Sequence, residues 1–281
     1  MISSIAGDMM GVPFEFNNIR AEEYNGELFL NKSTYSDDTV LEVATADSIL
    51  SKSSYSDSYF KYASNYPNRG YGGMFLKMIK TGHLTPYDSY GNGSAMRAGP
   101  TGWIHNTLEE TLNEAKRSSE VTHSHEEGIK GAQAVAASIF VARMGGSKSD
   151  IMKSVEKIGY NLSRKISDFR RTKFYVDCQN TIPVCMAIFN ESDSFEDAMR
   201  KSIVMGGDVD TNCCIIGATC DAFYGLPDKH IQEEVYKRMP RTMANTVTTF
   251  IKKYIDSSFA EPDVKVGSKT ATLSEQLESF F

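Results

Sequence analysis

No apolar run in this chain of 281 residues approaches the roughly 20 that carry a helix across a bilayer. A basic excess is also lacking: 36 Asp and Glu stand against 30 Lys and Arg, a net charge of −6. Polyanion-binding surfaces need the opposite balance, so non-specific nucleic-acid binding is not expected. The five cysteines (Cys178, Cys185, Cys213, Cys214 and Cys220) are odd in number and form no CxxC pair. Neither a disulfide framework nor a zinc knuckle follows from that spacing. Most sit among apolar or small neighbours, which predicts buried, reduced thiols and a cytoplasmic setting. The first eight residues, Met1 to Asp8, carry no basic segment and reach an acid quickly, so they do not read as a signal peptide. Repeats, low-complexity tracts and Pro/Gly/Ser-rich linkers are missing as well. The chain therefore reads as one domain, residues 1–281, with a loosely attached tail after about residue 262.

What is present is helical periodicity. Apolar residues recur at helical spacing over 39–51, 107–119, 148–158, 184–189, 195–204, 212–224 and 231–254. The segment 128–144 is apolar nearly all round and predicts a central, buried helix. Strand alternation of any length is hard to find, so the fold is expected to be all-α.

The polar residues that resist a structural explanation fall in five segments at the edges of these helices. Ser36-Asp37-Asp38-Thr39 precedes one apolar helix, and Gly206-Gly207-Asp208-Val209-Asp210-Thr211 precedes another. A helix cap uses one such residue, whereas adjacent carboxylates repel unless a cation lies between them. Together the two clusters supply hard oxygen ligands suited to Mg²⁺ or Mn²⁺, and carboxylate pairs can bridge two such ions. A third segment, Ser89-Tyr90-Gly91-Asn92-Gly93-Ser94-Ala95-Met96-Arg97, has the glycines and small polar residues of a backbone nest for phosphate oxygens, or of a plain turn. It lacks the Gly-Lys-Ser/Thr of a Walker loop. The fourth, Thr122-His123-Ser124-His125-Glu126-Glu127-Gly128, places imidazoles where hydrogen bonding to a sugar, or a helix cap, suits them better than a hard ion. His83, His105 and His230 read as isolated surface or loop residues. In the fifth, Gly7-Asp8-Met9-Met10-Gly11-Val12-Pro13-Phe14-Glu15, the Glu15 carboxylate on its own reads as a solvated surface acid; packed beside the apolar Val12-Pro13-Phe14, it would instead have a raised pKa.

With these segments in this order, the sequence resembles the ADP-ribosylglycohydrolase family, which includes the dinitrogenase reductase-activating glycohydrolases, from Ile5 to about Pro227. Tyr66-Pro67-Asn68-Arg69-Gly70-Tyr71-Gly72 is similar to the family's compact microbial branch. The resemblance implies an all-α, single-domain orthogonal bundle with a binuclear Mg²⁺ cleft, Mn²⁺ being an acceptable substitute. Ser36, Asp37, Asp38, Asp208, Asp210 and Thr211 would ligate the two ions, with Asp210 the candidate bridge. Glu15 would match the glutamate on the loop that gates the cleft in some members. Ser89, Tyr90, Gly91 and Asn92 would hold the diphosphate, with Gly93 and Ser94 completing the substrate-binding stretch, and His123 would meet the distal ribose. Val209, Asp221 and Lys77-Met78 depart from the family's usual residues without removing a ligand.

The activity so implied is hydrolysis of the C1″ bond of ADP-ribose attached to a protein side chain, arginine before other linkages, with ADP-ribose released. Glu15, Asp37 or Asp38 would act as general base. Alternatives are another ADP-ribosyl adduct (serine, nucleobase or a small derivative) or a non-catalytic ADP-ribose-binding paralogue. A monomer with no membrane association is expected.

Overall fold

The structure, a computed structural model, describes residues 1–19, 21–256, 273 and 276. Apart from Leu273 and Gln276, the tail expected to be loosely attached lies outside the described residues. Thirteen α-helices run in chain order among the described residues. They are α1 (Ile2–Gly11), α2 (Asp37–Ser51), α3 (Tyr55–Asn65), α4 (Gly73–Thr81), α5 (Gly93–Met96), α6 (Leu108–Glu120) and α7 (Glu126–Arg143). There follow α8 (Lys148–Ile158), α9 (Cys178–Asn190), α10 (Phe195–Met205), α11 (Val209–Tyr224), α12 (Lys229–Arg238) and α13 (Arg241–Tyr254). No strand occurs among the described residues, only an isolated bridge between Gly91 and Asp177. The fold is all-α.

The helix starts are set locally. Ser36, Ser54, Thr107, Ser147, Asp177 and Ser194 each accept a backbone N–H from the first turn of the helix they precede, as short polar caps do. His125 does the same for α7, its Nδ1 accepting from Glu127 N at 3.1 Å. Residues 134–142 of α7 are all buried, as its all-round apolar sequence predicts.

Periodicity alone misses two boundaries. The expected helix over 231–254 is two helices, α12 and α13, because Pro240 offers no N–H and forces Met239 into an extended conformation (φ −102, ψ 143). The helix expected from Val184 instead begins at Cys178 and carries Pro183 within it. Four further helices, α1, α3, α4 and the single-turn α5, are missing from the expected set. α1 has every residue buried and so shows no polar face to alternate with.

The site depends on one crossing. α1 and α11 run antiparallel in close contact, each step of about four residues along one matched by a step back along the other. A Cβ at Gly7 would overlap the Cys213 carbonyl, one at Gly11 the Asp210 backbone, and one at Gly217 the Ser3 carbonyl. Only hydrogen at those positions lets the two backbones approach this closely. Asp221, the departure noted in α11, is buried in the same crossing and accepts Ser3 N at 3.0 Å and the Met1 amine. The crossing sets Asp8 of α1 beside the first turn of α11.

Candidate active site

Asp8 is completely buried and turned toward the N-terminus of α2. Its Oδ2 accepts Ser36 N at 2.9 Å, Thr39 N at 3.2 Å and the Thr39 hydroxyl. Its Oδ1 is buried with no partner. Asp38 repeats the pattern: Oδ2 accepts Ser36 Oγ at 2.9 Å and Thr211 Oγ1 at 3.4 Å, while Oδ1 is buried and unpaired. Asp210 Oδ1 is a third orphan. Asp8, Asp38 and Asp210 each offer an oxygen within 4.8 Å of the others, and so do Glu15, Asp208 and Asp210. Asp210 belongs to both trios. Buried carboxylate oxygens with neither donor nor cation are costly, and their convergence is what a hard divalent ion would relieve. The residues fit such an ion.

The electrostatics agree. Burial, and then the charges of Asp8, Asp37 and Asp208, push the Asp38 carboxyl well above the usual carboxylate range. Burial, with the charges of Asp208 and Asp8, raises Glu15 to about 7. Burial and the Asp8 charge raise Asp37 to about 8. Such groups bind protons in the folded chain that they have lost in the unfolded one. Stability without metal therefore falls as pH rises from the unfolded carboxyl range near 4 through about 7 and 8. A divalent ion replaces those protons, so its stabilising effect grows over the same window. Melting curves in chelator and in excess Mg²⁺ at pH 5.5 and pH 8 check both signs. A metal-induced gain in Tm that shrinks toward pH 8 would contradict this picture.

The structure brings Ser36, Asp38, Asp208, Asp210, Thr211 and Glu15 around one cleft, whose volume is about 540 Å³, within the range of small-molecule sites. Asp37 also lines it but belongs to neither trio. Its N donates to Arg69 O at 2.7 Å, and its Oδ1 lies 2.9 Å from where a Cβ on Gly70 would stand. Asp8, quoted in the motif but given no role from sequence, is the residue that reading missed. The available signal was an acid inside a wholly apolar segment with glycines on either side.

The opposite wall is formed by the glycine-rich stretch. Asn92 N donates to Val176 O at 2.9 Å, and Cys178 N to Tyr90 O at 3.0 Å. Asn92 Nδ2 donates to Asp208 Oδ2 at 2.7 Å, so this side chain orients an acid of the second trio. Ser89, Gly91, Asn92, Gly93 and His123 line the cleft. Tyr90 and Ser94 do not. Tyr90 is half exposed, its ring 5.3 Å from that of His125, and the buried Ser94 hydroxyl donates to Gly128 O at 2.7 Å. At the mouth, Phe16, the neighbour of Glu15, stacks on Phe174 with ring centroids 5.8 Å apart. All five cysteines are buried and unbridged, as expected, and among the described residues no helix is long and apolar enough to cross a membrane.

Known proteins share this chain's family and fold. A family profile described as ADP-ribosylglycohydrolase matches residues 1–262. The chain is similar to the ADP-ribosylhydrolase ARH3 of Bos taurus, 24% identical over 262 residues that span 68% of this chain and 71% of the relative. It is similar to the ADP-ribosylarginine hydrolase Tri1 of Pseudomonas putida, 22% identical over 287 residues, 84% of this chain and 76% of the relative. Among solved structures, one titled as an ADP-ribosylglycohydrolase-related protein complex superposes with a TM-score of 0.64 at 17% identity, over 89% of this chain and 96% of that one. That likeness concerns the fold.

Proposed function

Because the chain belongs to the ADP-ribosylglycohydrolase family, and is thereby an enzyme acting on ADP-ribosylated substrates, we propose that its cleft binds ADP-ribose joined through C1″ to a protein side chain and hydrolyses that bond. The observation that carries this reading is the sharing of Asp210 between two carboxylate trios with three buried, unpaired oxygens. Asp8, Asp38, Asp210, Asp208 and Glu15 would hold divalent ions, two of them and Mg²⁺ or Mn²⁺ by donor chemistry, with Ser36, Thr211 and Asp37 completing the set. When bound, such ions would fix ribose hydroxyls and lower the pKa of water.

The chain's own groups do the remaining work. A water attacks C1″, the C1″–leaving-group bond breaks through an oxocarbenium-like transition state, and the leaving group gains a proton. Glu15, Asp37 and Asp38 are the general-base candidates, since each lines the cleft and a bound cation would keep a neighbouring carboxylate ionised and able to take a proton. Ser89, Gly91 and Gly93 line the wall that would receive the diphosphate, and the first turns of α2 and α11 add their dipoles toward bound anions. An arginine linkage is the first choice, supported by the Glu15 and Asp37 carboxylates in the cleft, which suit a guanidinium leaving group, and by the named activity of the Pseudomonas putida relative. The single-domain reading of residues 1–281, a monomeric state and a cytoplasmic setting belong to the same proposal; one core running from Met1 to Ile251 supports the single domain, and five buried, unbridged cysteines support the cytoplasmic setting.

Arginine-, serine- and nucleobase-linked ADP-ribose, offered in parallel with Mg²⁺ and with chelator, test the assignment. ADP-ribose should be released from the arginine linkage with Mg²⁺ and from none in chelator. No release from any of the three with Mg²⁺ would overturn it.

A further inference from the structure

One group on the substrate wall, His123, is held by a relay of buried side chains. Arg97 is fully buried and pairs with no carboxylate among the described residues; its guanidinium lies 4.2 Å from the Tyr59 ring centre. Its Nη2 donates to Thr122 Oγ1 at 2.8 Å, as well as to Ser118 O at 3.2 Å. Thr122 Oγ1 in turn lies 2.8 Å from His123 Nδ1, and both residues are buried. The imidazole's other nitrogen, Nε2, faces the glycine stretch: a Cβ on Gly93 would stand 3.2 Å from it and one on Gly91 3.5 Å.

Arginine has only donors, so Thr122 Oγ1 must accept from it. The hydroxyl then has one proton to give, and His123 Nδ1 is its remaining partner. Were Nδ1 the protonated nitrogen, the hydroxyl would accept twice and leave its own proton buried without an acceptor, a costly arrangement. Burial and the nearby Arg97 charge both hold the imidazole well below its usual pKa, so it stays neutral and keeps a single N–H.

We propose that Arg97 and Thr122 are positioning residues that lock His123 in the Nε2–H tautomer, making it an uncharged hydrogen-bond donor to a hydroxyl or phosphoryl oxygen of the substrate. The idea rests on the ADP-ribose reading for the identity of that oxygen, but the lock itself does not. It also bears on position 93, where a Cβ 3.2 Å from Nε2 would stand tighter than ordinary contact, whereas one at position 91 would touch Nε2 without strain.

Nitrogen-15 NMR of His123 in the 281-residue chain reads the tautomer directly, and ADP-ribose titration reads its consequence. The parent chain should show protonated Nε2 and bare Nδ1. Thr122→Ser keeps the hydroxyl and should retain both tautomer and affinity. Thr122→Val should lose the tautomer preference and bind ADP-ribose about tenfold more weakly. Protonated Nδ1 in the parent chain, or in Thr122→Ser, overturns the lock, and these two measurements stand even if Thr122→Val folds poorly. Unchanged ADP-ribose affinity in a folded Thr122→Val overturns the donor role. A parent chain that shows the expected tautomer yet binds no ADP-ribose would refute the substrate reading and leave the lock standing.

Discussion

Asp210→Ala is expected to release ADP-ribose at least about 10³-fold more slowly than the parent chain, a loss on the order of 4 kcal/mol of transition-state stabilisation. The size follows from its position. Asp210 is the one side chain common to both carboxylate trios, so its removal disables both candidate ion sites. The loss should fall on turnover and not on the fold. Asp210 is buried, with an unpaired Oδ1, among Asp38, Asp208, Glu15 and Asp8, which disfavour its charge. Taking away one of several mutually repelling carboxylates relieves the metal-free protein. Asp210→Asn, which preserves shape, should therefore melt in chelator at or above the temperature of the parent chain, while gaining little from added Mg²⁺. Steady-state release assays and melting curves with and without metal check the two halves. An Asp210 variant that stays active, or that unfolds in chelator well below the parent chain, would contradict the placement of this residue.

The second large effect concerns the crossing that builds the site. Gly217→Ala adds a methyl group that would overlap the Ser3 carbonyl, a backbone atom that cannot swing aside. A cost of about 3 kcal/mol is expected, at the upper end for overpacking, which lowers Tm by about 10 °C in a chain of this size. Gly11→Ala should be worse in kind. The added Cβ would overlap the Asp210 backbone, so relaxation of the strain moves an acid that both trios share. Gly217→Ala should lose stability while its folded fraction keeps the parent turnover. Gly11→Ala should lose stability and, at temperatures where it remains folded, still turn over about 10²-fold more slowly. Equal turnover in the two folded variants would show that the close approach of α1 and α11 is architectural only.

How much of this was legible in the residues depends on the range of the interaction concerned. The helical period placed α2, α6, α8 and α10 to within about two residues, because it is a local signal. α1 was missed because it is buried on every side and, at 10 residues, is too short to stand out as the 18-residue α7 did. Pro240 was outweighed by the periodicity around it, although its ring ends one helix and begins the next. At the site, Ser36, Asp38, Asp208, Asp210 and Thr211 were recognisable as carboxylate–hydroxyl clusters at helix starts. Asp8 was not, since its role depends on a helix crossing that only the folded chain creates. Asn92 was read as part of a phosphate nest, and its side chain turns instead to Asp208. The Arg97–Thr122–His123 relay joins residues 25 positions apart and has no sequence signature.

Asp210 shared between two candidate ion sites is the central feature of the cleft. Equilibrium binding of Mn²⁺ to the 281-residue chain, made metal-free beforehand, measures this directly by counting ions per chain in the parent and in Asp210→Asn. Two ions per chain are expected in the parent, with activity returning as they bind, and the single substitution should weaken both. Loss of one ion with the other bound as before, or full activity with none bound, would contradict it.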